Sequence, residues 1–181
     1  FESPRRWYRA ATALGIGVTL LIGGTLTAAL HRSHLVHPLI AKYAGPPSAT
    51  HPYPVRKFDP TCRLRGWRHL AAEVDGVRER LRGQGVEPVL AGVSWSLPGE
   101  LGAYCQGHPQ AYSVGLAQGD RHSQYDFWTN PFDNEEEFRG RTFVIVGSIS
   151  EHVVAAFARI EPPVRIVYEE GGRPLAGWDV Y

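Results

Sequence analysis

The longest feature of the hydrophobic pattern is Ala10–Leu30, a run of apolar and small residues without a single charge. As a helix, this run is roughly 31 Å long at 1.5 Å per residue, which is enough to cross a hydrocarbon core of about 30 Å. A helix in a soluble core would need one polar face, and this run has none. We therefore predict a transmembrane helix at residues 10–30, preceded by a cytoplasmic stub at residues 1–9.

A cleaved signal peptide is the alternative for this segment, because it also begins with basic residues and continues with an apolar stretch. The run is longer than the apolar part of most signal peptides, and its small residues are spread along it. They recur every four positions, which favours packing against another membrane helix, although small residues are also common in membrane helices generally. The residues concerned are Ala11, Gly15, Thr19, Gly23 and Thr27.

Residues 31–57 form a juxtamembrane segment and a Pro-rich linker, because the prolines between residues 46 and 54 prevent regular structure. Beyond the linker, the pattern alternates between the helical and the strand periods. Apolar residues at helical spacing predict an amphipathic helix at residues 67–82, which Gly83 and Gly85 end. A second helix is predicted at residues 96–106, and a third runs from the residues Ser148 and Glu151 to about residue 158. Strands are predicted at residues 87–93, 111–114, 141–146, 164–168 and 175–181.

Short polar residues set the predicted helix starts. We expect Ser96 to cap the second helix, with Pro98 in its first turn, and Ser148 and Glu151 to form a capping box. Ser94 is assigned to the preceding strand. Because helices alternate with apolar strands, the pattern predicts an α/β domain at residues 58–181 with a mostly parallel sheet and a C-terminal hairpin.

The distribution of charge indicates how the apolar helix is oriented in the membrane and argues against nucleic acid as a partner. The 19 basic and 18 acidic residues leave a net charge of +1, and they are scattered, so no basic face suggests nucleic acid. Arg5, Arg6 and Arg9 precede the apolar run, which favours a cytoplasmic N-terminus. The strong preference for arginine over lysine suggests a GC-rich bacterial genome. With a cytoplasmic N-terminus, the domain after the apolar run is expected on the periplasmic side of a bacterial inner membrane.

Several kinds of chemistry are missing from the motifs. The chain has no phosphate-binding loop and no dinucleotide fingerprint, and Gly92–Ser96 lacks the final glycine of a hydrolase nucleophile elbow. Histidines at positions 31, 34 and 37 have a spacing that a metal ion can bridge, but histidines beside a membrane helix are more simply interfacial side chains. We therefore predict no catalytic residue, no metal and no cofactor in this chain.

Cys62 and Cys105 have no CxxC partner, so they form neither a zinc site nor a redox motif. In an oxidising compartment a disulfide between them would close a loop of about 43 residues and stabilise the domain by roughly 4 kcal/mol. Two separate buried thiols fit the sequence as well, because Cys105 falls on the packed face of its predicted helix with Leu101 and Tyr104. The sequence leaves both alternatives open.

Two polar and aromatic stretches, Asp59–Trp67 and Arg121–Trp128, fall in connections. A sugar or phosphate site needs aromatic faces for stacking, arginine for anions, and Asp or Gln for hydroxyl groups. A purely structural role, with the tryptophans filling the core, is the alternative. Because ligands bind beyond the carboxyl ends of parallel strands, we predict a substrate site formed by Trp95, Ser96, Arg121, Gln124, Tyr125, Asp126 and Trp128.

The order of these motifs resembles the C-terminal end of bacterial glycosyltransferase family 39 proteins, which are related to protein O-mannosyltransferases. The similarity runs from the apolar helix through the linker to three blocks of sequence, none of which is a catalytic signature. The blocks are DPTCRLRGW at residues 59–67, ELGAYCQGHPQAYSVG at residues 100–115 and RHSQYDFW at residues 121–128.

The resemblance implies a membrane enzyme that passes a sugar from a polyprenyl-phosphate donor to an envelope acceptor. Its catalytic acids would lie in a loop near earlier membrane spans outside this chain, so residues 58–181 would be a non-catalytic extracytoplasmic domain. The expected partners are the membrane, those further spans, the lipid-linked sugar and the acceptor. Two alternatives stay open: a single-span anchored module that binds a glycan or envelope component without chemistry, and a structural subunit of an envelope complex.

Overall fold

A computed structural model describes residues 4–181, and the chain divides into two compact units at Thr61. The first unit begins with helix α1, Pro4–His31, which extends the predicted span at its N-terminal end. Within it, Arg6–His31 is long and apolar enough to cross a membrane, a property that N-terminal signal sequences share. All of its side chains from Arg6 onward are exposed, so the packing partner of the small-residue stripe stays a prediction.

The rest of the first unit is organised around a buried hydrogen-bonded pair. Helix α2, His37–Ala44, begins with a histidine whose Nε2 lies 2.7 Å from Asp59 Oδ2, and both side chains are buried. Asp59 also accepts hydrogen bonds from the backbone and the hydroxyl of Thr61, at 2.9 and 2.6 Å. His37 and Asp59 are therefore joined by a buried hydrogen bond within this unit.

The second unit, Cys62–Tyr181, is an α/β domain, which confirms the predicted fold class. Its sheet has the order β2-β1-β3-β5-β4, in which β1, β2 and β3 are parallel and the hairpin of β4 and β5 adds antiparallel pairs. The elements are α3 (Trp67–Gly83), β1 (Val89–Gly92), α4 (Leu97–Tyr104), β2 (Ala111–Ser113), α5 (Glu135–Phe138), β3 (Phe143–Val146), α6 (Glu151–Ala155), β4 (Val164–Glu170) and β5 (Arg173–Val180).

The core lies on both faces of this sheet. On one face Gly92 packs directly against Leu97 and Pro98 of α4, where a side chain at position 92 would not fit. The other face carries Tyr112 and Phe143, which contact an aromatic cluster from the connections after β2 and β3. That cluster consists of Phe132, Phe138 and Phe157. Both faces of the parallel strands are covered, as their continuous apolar sequences require.

Three local predictions need correction. Helix α6 is capped by Ser150, whose hydroxyl accepts from Val153 N–H, and not by Ser148. Ser148 instead donates to Asp179 Oδ2 on β5, at 3.3 Å. Ser94 lies beyond the end of β1 and is not a strand residue. Ser96 does occupy the N-cap position of α4, but its side chain makes no capping hydrogen bond.

No disulfide joins Cys62 and Cys105, and both thiols are buried. Cys105 ends α4, beside a polar network in which Asp75 of α3 accepts from Gln106 N–H at 2.7 Å and from Arg78. Burial and the Asp75 carboxylate raise the pKa of Cys105 to about 12. Of the two alternatives that the sequence left open, the structure contains the separate thiols.

Candidate functional site

The second unit contains a cleft beyond the carboxyl ends of β1 and β2. It has a volume of about 620 Å³ and combines the first turn of α4 with the polar and aromatic connection after β2. Because β1 and β2 are parallel neighbours, the connections that leave their carboxyl ends open on the same edge of the sheet. The residues that line the cleft are Trp95, Ser96, Gly99, Glu100, Arg121, His122, Ser123, Gln124 and Tyr125.

Gln118 links the connections that follow all three parallel strands. Its Nε2 donates to the carbonyl of Val93, after β1, at 3.1 Å, and its Oε1 accepts from Ser150 N–H, after β3, at 3.2 Å. Gln118 itself lies after β2, in a 3-10 helix at Leu116–Gln118. One carboxamide therefore connects the three segments that follow β1, β2 and β3 at this edge of the sheet.

Two consecutive residues hold Trp95 in the cleft. Asp120 Oδ2 accepts from the backbone N–H of Trp95 at 2.9 Å. The guanidinium carbon of Arg121 lies 3.9 Å from the centre of the Trp95 ring, which is a cation–π distance. The backbone and the ring of Trp95 are thus both held by the connection after β2.

Glu100 and Tyr125 give the cleft its remaining chemical character. Glu100 lies in the first turn of α4 and is partly buried, and this burial raises the pKa of its carboxyl group. The Tyr125 hydroxyl lies so close to Gly99 that a β-carbon at position 99 would collide with it. A carboxyl group, an arginine and two aromatic rings therefore share one cleft.

Asp126 and Trp128 do not line the cleft but support the segment that does. The connection contains a 3-10 helix at Gln124–Phe127, in which Ser123 and Asp126 form a capping box: Ser123 Oγ accepts from Tyr125 N–H and Asp126 accepts from Ser123 N–H. Trp128 is half exposed, and its ring meets Tyr125 edge-on at 5.0 Å between centroids. Asp126 and Trp128 therefore support the position of Tyr125 and the residues beside it, which line the cleft.

Five of the seven residues predicted for the site come together in the cleft, namely Trp95, Ser96, Arg121, Gln124 and Tyr125. The sequence analysis did not assign Glu100 or Asp120. Glu100 is four residues after Ser96, which places both on one face of α4, so helical spacing was an available signal. Asp120 gives no such signal, because its partner is 25 residues away. In the other polar and aromatic stretch, Asp59–Trp67, Trp67 packs against Trp178 beside the core. This is the structural role that the sequence analysis gave as the alternative for the tryptophans.

Comparison with protein-family models, with curated proteins and with solved structures found no match for this chain.

Proposed function

We propose that residues 58–181 are the non-catalytic, extracytoplasmic C-terminal domain of a membrane glycosyltransferase, which transfers a sugar from a polyprenyl-phosphate donor to an envelope acceptor. One observation carries the proposal: two of the sequence blocks behind the resemblance meet at one cleft. The block at residues 100–115 supplies Glu100, and the block at residues 121–128 supplies Arg121, Gln124 and Tyr125. The motifs behind the resemblance thus coincide with a concave polar and aromatic surface of the kind that often binds small molecules.

The composition of the cleft supports a sugar ligand. Trp95 and Tyr125 offer aromatic faces, and Arg121, Gln124 and Glu100 offer hydrogen-bonding groups for hydroxyl or anionic substituents. Binding sites for small polar ligands commonly combine apolar surface with a few placed polar groups. The cleft matches that description, because aromatic rings and hydrogen-bonding side chains line it together.

The hydrogen bonds of the cleft support a non-catalytic role. Ser123 Oγ is engaged with the backbone of Tyr125, and the His122 ring lies 3.5 Å from Asp126 and not against a hydroxyl. Among the side chains described for residues 95–125, no serine is hydrogen-bonded to a histidine, and Glu100 is the one carboxylate that lines the cleft. An activated nucleophile needs a base beside it, and this arrangement supplies a binding surface instead.

Helix α1 is proposed as a membrane span of the bacterial inner membrane, packed through its small-residue stripe against further spans of the same protein. Its length and apolar composition support the span. The basic residues before it favour a cytoplasmic N-terminus and an extracytoplasmic domain.

The test measures sugar transfer from radiolabelled polyprenyl-phosphate donors. The membranes used contain the full-length protein of which this chain is proposed to be the C-terminal part. We expect Arg121→Ala to lower transfer about tenfold or more, because a charge-assisted hydrogen bond to substrate is lost, and Asp126→Ala to lower it by loosening the Ser123–Phe127 segment. Arg159→Ala is the matched control, because Arg159 is 82% exposed and its ion-pair partner among the described residues is the exposed Glu161.

Three results would contradict the proposal. They are full transfer by both the Arg121 and the Asp126 variant, loss of transfer only in parallel with loss of folded protein, and transfer by the purified 181-residue chain alone. Glycan binding without transfer from any lipid-linked donor would favour the alternative of an anchored binding module.

A further inference from the structure

We infer that the connection after β2 docks on a lipid bilayer, with the rings of Phe127 and Trp128 at the boundary between headgroups and acyl chains. Two consecutive aromatic side chains are exposed there, on a segment that is held by its own hydrogen bonds. The docking surface is defined by Arg121, His122, Phe127 and Trp128. The inference goes beyond the proposed function, because it locates a membrane contact of the α/β domain and requires no sugar transfer.

Phe127 and Trp128 expose a large apolar area to water. Phe127 is 90% exposed, more than any other large hydrophobic side chain that the structure describes, and Trp128 is 52% exposed. Together they leave roughly 300 Å² uncovered, since a whole aromatic side chain has about 150–250 Å². Removal of such surface from water lowers the free energy, so these rings favour a less polar surrounding.

The aromatic pair is continuous with the cleft. The Trp128 ring meets Tyr125 edge-on, with 5.0 Å between the ring centres, and Tyr125 lines the cleft together with Trp95. Trp95 is itself 47% exposed. Single exposed apolar residues are ordinary on protein surfaces, whereas contiguous ones mark interaction sites.

Hydrogen bonds within the segment hold the aromatic pair in place. Ser123 Oγ accepts from Tyr125 N–H at 3.2 Å, and Asp126 accepts from Ser123 N–H. The Trp128 N–H donates to the Tyr125 carbonyl at 3.3 Å. Because these backbone groups are paired inside the segment, moving them from water to a less polar interface costs less free energy than moving unpaired groups.

The exposed charges of this segment are basic. Arg121 and His122 are exposed, the imidazole to 89%. The two carboxylates, Asp120 and Asp126, each accept a hydrogen bond from a backbone N–H, and His122 Nδ1 lies 3.5 Å from Asp126. Basic side chains beside exposed aromatic rings are typical of surfaces that bind anionic membranes, and attraction to a charged surface needs no ordered phosphate site.

Two groups of acidic residues bear on the charge of this surface. Glu100, which lines the adjacent cleft, is partly buried, and burial raises the pKa of its carboxyl group. This weakens its repulsion of an anionic surface. Exposed acidic residues also follow at positions 133, 136 and 137, but Phe138 beside them packs on Phe143 at the amino end of β3. That group lies toward the opposite edge of the sheet from the cleft, which opens at the carboxyl ends.

A bilayer fits this surface better than a protein does. A stable protein interface buries about 800 Å² on each partner, well above the area that Phe127 and Trp128 expose, whereas insertion of a ring into a bilayer needs no matching surface. Tryptophan in particular is enriched at the boundary between water and hydrocarbon. The chain also contains Arg6–His31, a helix long and apolar enough to cross a membrane, so the α/β domain is covalently linked to a segment that fits a bilayer.

The experiment places a nitroxide at position 127 of the full chain, through Phe127→Cys, and measures its depth in phosphatidylglycerol vesicles by electron paramagnetic resonance. Oxygen concentrates in the acyl region and a nickel chelate in water, so the ratio of their effects reports depth. We expect the label to lie roughly 5–10 Å into the boundary between headgroups and acyl chains. Arg159→Cys is the matched control, because Arg159 is 82% exposed, and its label should stay in water. The wild-type chain, whose two thiols are buried, is the labelling blank.

Tryptophan quenching provides a second measurement that needs no label. In a Trp7→Phe background the remaining tryptophans belong to the α/β domain, and brominated lipids quench those that reach the acyl chains. We expect Trp128→Phe to remove most of this quenching, and Phe127→Ser to reduce it several-fold because apolar surface is lost. Val154→Ser removes an exposed apolar side chain elsewhere in the domain and should leave quenching unchanged. Phosphatidylcholine in place of phosphatidylglycerol should weaken docking, because the attraction of the basic side chains is lost.

Thermal melts establish that each variant is folded. The inference is overturned if the label at position 127 is as accessible to the nickel chelate as the label at position 159, or if folded Phe127→Ser is quenched like its background chain. Dipolar broadening between labels at position 127 would show that a second copy covers the surface, which also overturns it. Insertion of position 127 without sugar transfer in membranes contradicts the proposed function only, and transfer with this position in water contradicts the inference only.

Discussion

Asp120 Oδ2 accepts a hydrogen bond from the backbone N–H of Trp95 at 2.9 Å, across 25 residues of sequence. The bond joins the connection after β2 to the connection after β1. Because Arg121 follows directly and stacks on the Trp95 ring, one short segment determines both the backbone and the side-chain position of the tryptophan. The cleft exists in this form because these two connections are tied together.

The first prediction concerns this hydrogen bond. Asp120→Ala removes the acceptor, and we expect it to lower the free energy of unfolding by about 1 kcal/mol, because the Trp95 N–H is only partly shielded from water. Asp120→Asn is the matched control, since its side-chain oxygen can still accept. Guanidinium denaturation measures the stability, and Trp fluorescence reports the ring environment. Equal stability of the two variants would show that the bond does not hold the cleft.

The second prediction concerns Gly147, which follows β3 with a φ of +110°. A β-carbon there would collide with Val93 Cγ2, so Gly147→Ala adds a steric clash to backbone strain. We expect a loss of about 3 kcal/mol or more in the free energy of unfolding. Gly140→Ala is the control, because Gly140 has a φ of +75° and no atom within 4 Å of the added carbon. That variant is expected to lose only about 1 kcal/mol, and a similar loss for both would contradict the packing argument.

The third prediction concerns the cysteines. Both thiols are buried, and burial with the nearby Asp75 carboxylate raises the pKa of Cys105 to about 12. Because the thiolate is the reactive form, we expect iodoacetamide at about pH 8 to leave Cys105 unmodified in the folded chain. Unfolding without reductant should expose two alkylatable thiols, as mass spectrometry would detect. Absence of labelling after unfolding would indicate a disulfide and contradict the structure.

The fourth prediction concerns Asp59. Burial by itself raises the pKa of this carboxyl, but hydrogen bonds from Thr61 and His37 outweigh that effect and lower it from 3.8 to about 2. A lowered carboxyl pKa stabilises the fold at pH values above the unfolded-state pKa, and this stability is lost as pH falls through the folded-state value. We expect about 2 kcal/mol to be lost between roughly pH 4 and pH 2.

Denaturation of the full chain in micelles across that range tests this, together with an NMR titration of the Asp59 carboxyl carbon. Asp59→Asn should lose stability at neutral pH and show a flatter acid dependence. Asp133→Asn is the control, because Asp133 is exposed and none of the described residues hydrogen-bonds its carboxylate. An Asp59 titration near the ordinary value for aspartate would refute the prediction.

Local sequence was sufficient for most of the elements. The uncharged run predicted the apolar helix, and the helical spacing of Leu70, Ala71 and Val74 predicted the buried face of α3. Short apolar runs between glycine and proline predicted the strands, and their alternation with helices predicted the α/β class. These features depend on the period of side chains along one element, which a single stretch of sequence contains.

The capping residue of α6 could not be predicted from local sequence. Ser148 and Ser150 both stand before α6, and spacing favoured Ser148. In the structure the Ser148 hydroxyl donates to Asp179 on β5, which leaves Ser150 to accept from Val153 N–H. The choice of capping residue depends on Asp179 of β5, which lies 31 residues after Ser148. No local sequence pattern could therefore predict it.

Which connections carry aromatic and polar side chains could be read from residue type alone. The stacking of Trp95 and Arg121, the place of Glu100 beside them, and the supporting role of Asp126 in its own segment were visible only after folding. These outcomes follow from the parallel pairing of β1 and β2, which brings the carboxyl ends of two strands to one edge. Contacts between distant residues depend on that pairing, which the hydrophobic period of each strand does not encode.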